Sequence, residues 1–560
     1  MNRCLLILLS CCLLFSCHRK VEEHETWHIP FLQQSAGNVD SVLQIWTQAQ
    51  KIAQLIIYQP DISSPRSLDT LLTMGAANHF GGVLLRDLPF QDFLWVADSL
   101  QRMAQAPLFL ATDEAVSLTN QFSNLSHFPY SASLAAVADD SLEYQLQDFF
   151  LRQCEATGIN FCLSPHLNPL DWADGKRAVV FDQDRDAILQ STSRQLEQLQ
   201  EKGILSVARH FTQYYPHQAD TSQLVDSLLH PYYNLCRNGL SGLMIDGQLF
   251  DRDSADWRAT NYLRSYLQKR LDFQGLIVVR HQGKADELRR QVRAGAHVFM
   301  TSQNPKVLID SISQYIAEGL LTEYALEERV RKVLLAKQWL RKDRVLDQID
   351  IQADQQLFNN EAFPFYVRQL QQKALTLVND PDSILPFQNI HRRSYRLYEV
   401  GAYRMTSFQR FFEKYAAVHT EQVPFIDTVG YAAIPYKQAK RSTVIISLNQ
   451  VSIAAEPRLV ESINALAAKQ EVVLINWAYP NNLALFDPSI AMIQLYEQDK
   501  INQALTAQLL FGAIAPQGRL PLDISANLTK GTRLNRPVTR LQYGIPEEVG
   551  IYTYQFISCD

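Results

Sequence analysis

Several absences narrow what this sequence does. It has no CxxC pair and no Cys/His spacing of metal-ligand type, so no metal site is read from it. A glycine-rich phosphate loop is missing, which argues against a nucleotide cofactor, and no cofactor of another kind is implied. No basic block stands out. Lys and Arg total 52 against 58 Asp and Glu, both signs are spread along the chain, and the net charge is -6, so nucleic acid is set aside as a partner. Of the eight cysteines, Cys4, Cys11, Cys12 and Cys17 crowd the first 17 residues, and Cys154, Cys162, Cys236 and Cys559 are scattered. Cys154 and Cys162 flank a helix-to-strand turn, a poor bridging geometry, and no disulfide framework is expected. After the N-terminal segment no run of 18 apolar residues occurs, so no membrane-spanning helix is expected.

What is present is an ordinary globular composition, 47% hydrophobic and 20% charged, over 560 residues. Single cores usually stop growing at roughly 250–300 residues, so more than one domain is predicted. The first 17 residues read as a targeting segment. Arg3 supplies the positive end, Leu5 to Leu14 the apolar stretch, and Leu14-Phe15-Ser16-Cys17 the processing site. A small residue just before a cysteine resembles a bacterial lipoprotein signal. Cys17 would then carry the lipid and tether an otherwise soluble protein to the cell envelope, at the periplasmic or the outer-membrane surface. An ordinary secretory signal is the alternative.

From Trp27 onward, short aliphatic and β-branched runs alternate with helical patterns. The runs are Gln54–Tyr58, Gly82–Arg86, Pro107–Asp113, Ile159–Leu163, Leu205–Phe211, Gly242–Asp246, Gly275–Arg280 and His297–Thr301. Amphipathic helices are predicted at Asp140–Gln153, Asp186–Gln200 and Thr322–Leu340, the last with Leu326, Val330, Val333, Leu334 and Lys337 on or near one face. Strands buried on both faces and alternating with helices mean a parallel sheet, and eight of them suggest a closed (β/α)8 barrel. In such a barrel the active site is built at the C-terminal ends of strands. The candidates there are Asp113, His166, Arg209, His210, Asp246 and Arg280. Further strands at Lys373–Val378, Tyr395–Val400, Thr443–Leu448, Glu471–Trp477 and Ile490–Tyr496, with helices between them, predict a second α/β unit with an open sheet.

These motifs together resemble glycoside hydrolase family 3. Arg209-His210-Phe211 is similar to the family's KHF segment, and Phe273-Gln274-Gly275-Leu276-Ile277-Val278 to its FDGLVV strand. Ala294-Gly295-Ala296 resembles the following AGxD. Lys373–Val378 and Phe511–Pro521 resemble hallmarks of the second domain. The resemblance implies a barrel over 27–345, a linker over 346–370, an α/β sandwich over 371–535 and a tail over 536–560. It points to the lipoprotein-type β-N-acetylhexosaminidases, some of which continue into a β-lactamase-like domain. Tyr543–Gly550 resembles the junction to that domain, and the chain ends at Asp560, so a two-domain form or a truncated relative is expected.

The resemblance also assigns roles. The family's nucleophile is the Asp that ends the seventh strand, and that place falls on Arg280. Its acid/base His and supporting Asp are best matched by His217 and Asp220, in a loop about four residues longer than the family spacing; a polar surface loop is the alternative reading. Asp113, Arg209 and His210 match sugar-binding positions. His166, Val179 and Gln121 stand where the family has Asp, Arg and Arg. Asp246 could act only as a displaced nucleophile. Three readings result: a catalytically impaired member that binds a GlcNAc-containing glycan or peptidoglycan fragment, an active β-N-acetylhexosaminidase, or a structural lipoprotein with a closed cleft.

Overall fold

The computed structural model describes residues 29–125, 128–129, 131–137, 140–165, 185–211, 222–245, 267, 271–340, 358, 362–404, 406–426, 430–435, 442–449, 456–477 and 480–545. Eight strands close into a barrel: β1 Ile56–Tyr58, β2 Gly82–Val83, β3 Phe109–Thr112, β4 Phe161–Cys162, β5 Leu205–Phe211, β6 Gly242–Ile245, β7 Leu276–His281 and β8 Val298–Thr301. Every neighbouring pair is parallel, and β8 returns to β1 with Thr301 opposite Tyr58. The expected (β/α)8 barrel is therefore present. Parallel neighbours need a crossover, and helices supply it on the outside, so both strand faces are buried. This is why the runs are continuously apolar rather than alternating.

Helix Glu323–Trp339 packs beside the N-terminal ends of β1 and β2, where its Lys337 reaches Gln54 and Gly81. Thr322 caps it, its Oγ1 accepting from Ala325 N at 3.1 Å. The face read from the sequence is buried, Leu326, Val330, Val333, Leu334 and Lys337 included. Lys337 is 2% exposed; its Nζ donates to Gln54 Oε1 at 2.6 Å and to Gly81 O at 2.7 Å, and lies 5.0 Å from the Phe109 ring centre. Burial pushes its pKa down to about 7. Gly81 has no room for a side chain, since a Cβ would stand 2.5 Å from the Gln54 carbonyl oxygen. Cys154 and Cys162 are buried and form no disulfide; their Sγ atoms make a 4.0 Å contact.

The second unit is a six-stranded sheet. Its members are β9 Thr376–Asn379, β10 Ser394–Val400, β11 His419–Val423, β14 Ser442–Leu448, β15 Glu471–Asn476 and β16 Ala491–Gln494, in the order β11-β10-β14-β15-β16-β9. A hairpin of β12 Phe425–Ile426 and β13 Gly430–Tyr431 stands apart from it. Five strands are parallel, and β9 runs antiparallel at one edge. Alternate residues feed two cores. Ile445, Val473, Ile475 and Ile493 meet Phe408, Phe412 and Leu509 on one face, while Val444, Ile446, Val472 and Leu474 meet Leu459, Ile463 and Leu466 on the other.

Helix Ala362–Ala374 joins the two units. Val367 and Leu370 pack with Phe128, Leu134, Leu142 and Leu146 from the chain that follows β3. Phe358 meets Phe90 at a tilt and Phe122 edge to face, with ring centres 4.4 and 5.5 Å apart. Arg519 N also donates to Ala136 O at 3.0 Å. The second unit thus rests on the connection leaving the C-terminal end of β3, the same end that carries Asp113.

Candidate active site

Asp113 follows directly on β3 and is gripped from both sides. From the β2 side comes Arg86, whose Nε donates to Asp113 Oδ1 at 2.9 Å. Its Nη2 donates to the same oxygen and to Glu114 Oε1, the latter at 2.7 Å. From β5, Arg209 reaches over the end of β4. Its Nη2 donates to the Asp113 carbonyl, and its Nη1 stands 3.7 Å from Asp113 Oδ2. Arg209 itself is anchored by its backbone N–H on Pro165 O at 3.0 Å.

Arg280 lies across the mouth, near the end of β7. It reaches over β8 toward β1, where its Nη1 donates to Gln59 Oε1 at 3.2 Å. Gln59 is fixed by its own N–H, bonded to Thr301 O at 2.8 Å. Two strand spacings are about 10 Å, a gap that an extended Arg and a Gln can bridge together. Behind it, the Arg280 carbonyl accepts from Gln291 Nε2 at 3.0 Å, and that amide also donates to the buried Glu287 at 2.8 Å. Among the described residues Arg280 has no carboxylate within ion-pair distance.

The electrostatics follow from this ring. Burial alone would raise the Asp113 carboxyl, but the guanidiniums of Arg209, Arg86 and Arg280 outweigh it and hold it below the usual carboxylate range. Burial pulls Arg209 down to about 10, the Asp113 carboxylate opposing and Arg280 adding to the fall. Arg86 also feels burial, yet Asp113 and Glu114 together raise it. All three guanidiniums are charged at neutral pH, and Asp113 is ionised and clamped. It is neither a proton donor nor a free nucleophile.

Of the residues predicted as site members, the structure brings Asp113, Arg209 and Arg280 together. His210 lies in β5, but its side chain is outside the described residues, as are Cys17, His166, His217, Asp220 and Asp246. Gln121 does not face a ligand. It is 1% exposed, its Nε2 donates to Leu85 O at 2.8 Å, and its Oε1 accepts from Thr112 Oγ1 at 2.6 Å. Sequence reasoning missed Arg86, Glu114 and Gln59 as site members. Arg86 ends the second apolar run, and a charge at that place was the available signal.

Comparison with known proteins bears on the geometry. The model of the glycosyl hydrolase family 3 N-terminal domain matches residues 47–336, 290 of the chain's 560 residues. The chain belongs to glycosyl hydrolase family 3. A β-N-acetylglucosaminidase/β-glucosidase of Cellulomonas fimi is 22% identical over 377 residues, covering 60% of this family 3 chain and 65% of that relative. Among solved structures, the β-glucoside phosphorylase BglX superposes with a TM-score of 0.69 at 16% identity, covering 89% of this chain and 98% of that one. A family 3 β-N-acetylglucosaminidase from Paenibacillus sp. str. FPU-7 gives 0.63 at 17%, covering 86% and 99%. These likenesses establish the two-unit fold shared across the family.

Proposed function

We propose that this family 3 protein is a lipoprotein of the bacterial cell envelope, anchored through Cys17, that binds a GlcNAc-containing glycan without hydrolysing it by the family's retaining route. The observation that carries the reading is Arg280, placed at the end of β7 and held there by Gln59. A retaining glycosidase needs a carboxylate to attack the anomeric carbon and an acid to protonate the leaving oxygen. A guanidinium does neither, because it stays protonated and offers no lone pair for attack. It also opposes the transition state. A positive charge about 4 Å from an oxocarbenium costs about 4 kcal/mol at an effective dielectric of about 20, roughly a thousandfold in rate. Asp113 and Glu114 do not stand in for the nucleophile, since one Arg86 nitrogen binds both. The glycan type is supported by the activity named for the Cellulomonas fimi relative and by the residues resembling the β-N-acetylhexosaminidase branch.

The test is an assay of the purified protein on an aryl N-acetyl-β-glucosaminide, beside Arg280→Ala. Wild type and variant are expected to show the same background rate. Wild-type turnover that disappears on changing Asp246 or His217 would overturn the reading.

A further inference from the structure

The barrel mouth holds more positive than negative charge among its described side chains. Arg86, Arg209 and Arg280 face Asp113 and Glu114, three cations against two anions. The two carboxylates are already engaged. Arg86 bonds both, and Arg209 approaches Asp113 from the other side. Arg280 is different. Its hydrogen bond goes to the neutral Gln59, it is only partly buried, and its charge reaches both Asp113 and Arg209 across the opening. β3 and β7 stand four places apart in an eight-stranded ring, on opposite sides of the mouth. Among the described side chains, a cation in excess therefore stands across the barrel end from two more arginines.

We propose that this mouth receives an acidic saccharide, a sugar whose carboxylate or phosphate group sits on the Arg280 guanidinium. The proposal rests on the carbohydrate-binding reading above and adds the charge of the ligand. Guanidinium presents five N–H donors in a planar fork that matches carboxylate and phosphate oxygens. Only one nitrogen of Arg280 is occupied by Gln59. An anion there would also relieve the repulsion between Arg280 and the buried Arg209. A neutral sugar's hydroxyls accept from a guanidinium but bring it no opposing charge, and the Asp113 carboxylate is already committed to two guanidiniums. The same position occupied by an aspartate would repel an acidic sugar, so the substitution exchanges one ligand charge preference for the other.

The experiment is calorimetric titration of the purified protein with glucose, N-acetylglucosamine, glucuronate and glucose 6-phosphate. It is run at about 20 mM and about 300 mM salt, because the Debye length falls roughly fourfold between them. The variants are Arg280→Gln and Arg280→Lys, with melting curves to confirm that both fold. Glucuronate or glucose 6-phosphate is expected to bind at least about tenfold tighter than glucose at low salt. That preference should collapse in Arg280→Gln, shrink in Arg280→Lys and weaken with salt. Which of the two acidic sugars is preferred tells carboxylate from phosphate. If neutral sugars bind and the acidic ones bind no better, or if Arg280→Gln leaves the preference intact, the acidic ligand is refuted and the carbohydrate reading stands. If none of the four sugars binds, both fail.

Discussion

Replacing Arg86 by Met tests whether Asp113 owes its state to the arginine ring. Arg86 supplies Nε at 2.9 Å to Asp113 and Nη2 at 2.7 Å to Glu114, and the three side chains are 22%, 19% and 14% exposed. Removing one partner from a fully buried pair costs about 3–5 kcal/mol. These groups keep part of their surface wet, and Arg209 remains beside Asp113, so about 2–3 kcal/mol is expected at pH 7. The pH dependence has a definite sign. A carboxyl whose folded pKa is depressed contributes stability above its unfolded value near 3.8, and that contribution is lost as pH falls through the depressed value. The gap between wild type and Arg86→Met should therefore narrow as the pH falls below the unfolded value of 3.8. Urea unfolding followed by tryptophan fluorescence reads this out, since every tryptophan except Trp477 precedes residue 340. A gap that is the same at pH 7 and pH 3, or a variant as stable as wild type, would refute the argument.

Lys337→Met should remove a pH dependence of the same sign that lies in a higher pH window. With a folded pKa near 7, the lysine is neutral in the fold while still protonated in the unfolded chain up to about 10, so wild-type stability rises with pH across that window. The variant should lack this rise and, with Gln54 Oε1 left unpaired, lose about 1–3 kcal/mol at pH 9; a parallel pH profile in denaturant melts would count against it. In the second unit, Asp380 accepts from Ile384 N at 2.8 Å and binds Arg536 Nη2 at 2.7 Å with its side chain fully buried. Asp380→Ala should cost about 3–5 kcal/mol, seen as a lowered transition for that unit by calorimetry with the barrel transition unchanged.

Much of the fold was legible because buried parallel strands carry their signal locally. Val278 and Val279 are apolar for the same reason that Met244 and Ile245 are: each faces either the barrel interior or a helix. Strand β11 escaped notice because His419-Thr420-Glu421-Gln422 is polar and largely open to solvent, as suits an edge strand with one partner. Lys337 was read on the right helix face, but nothing in its spacing showed that its ammonium would be enclosed. The site was half legible. Asp113, Arg209 and Arg280 were reachable by counting to strand ends, whereas Glu114 and Gln59 matter through contacts with residues far away in sequence.

Gln121 makes one position near the barrel end answer to stability. Where the family resemblance places an arginine that meets substrate, this chain has an amide that ties Leu85 O to Thr112 Oγ1 in a nearly closed space. An arginine there would strip both partners and force a charge into that space before it met any ligand. Positions 121 and 280 therefore answer to different demands. Arg280 is free to vary with what the barrel end meets, whereas Gln121 is fixed by the strands it joins, and a change there is felt first as lost stability.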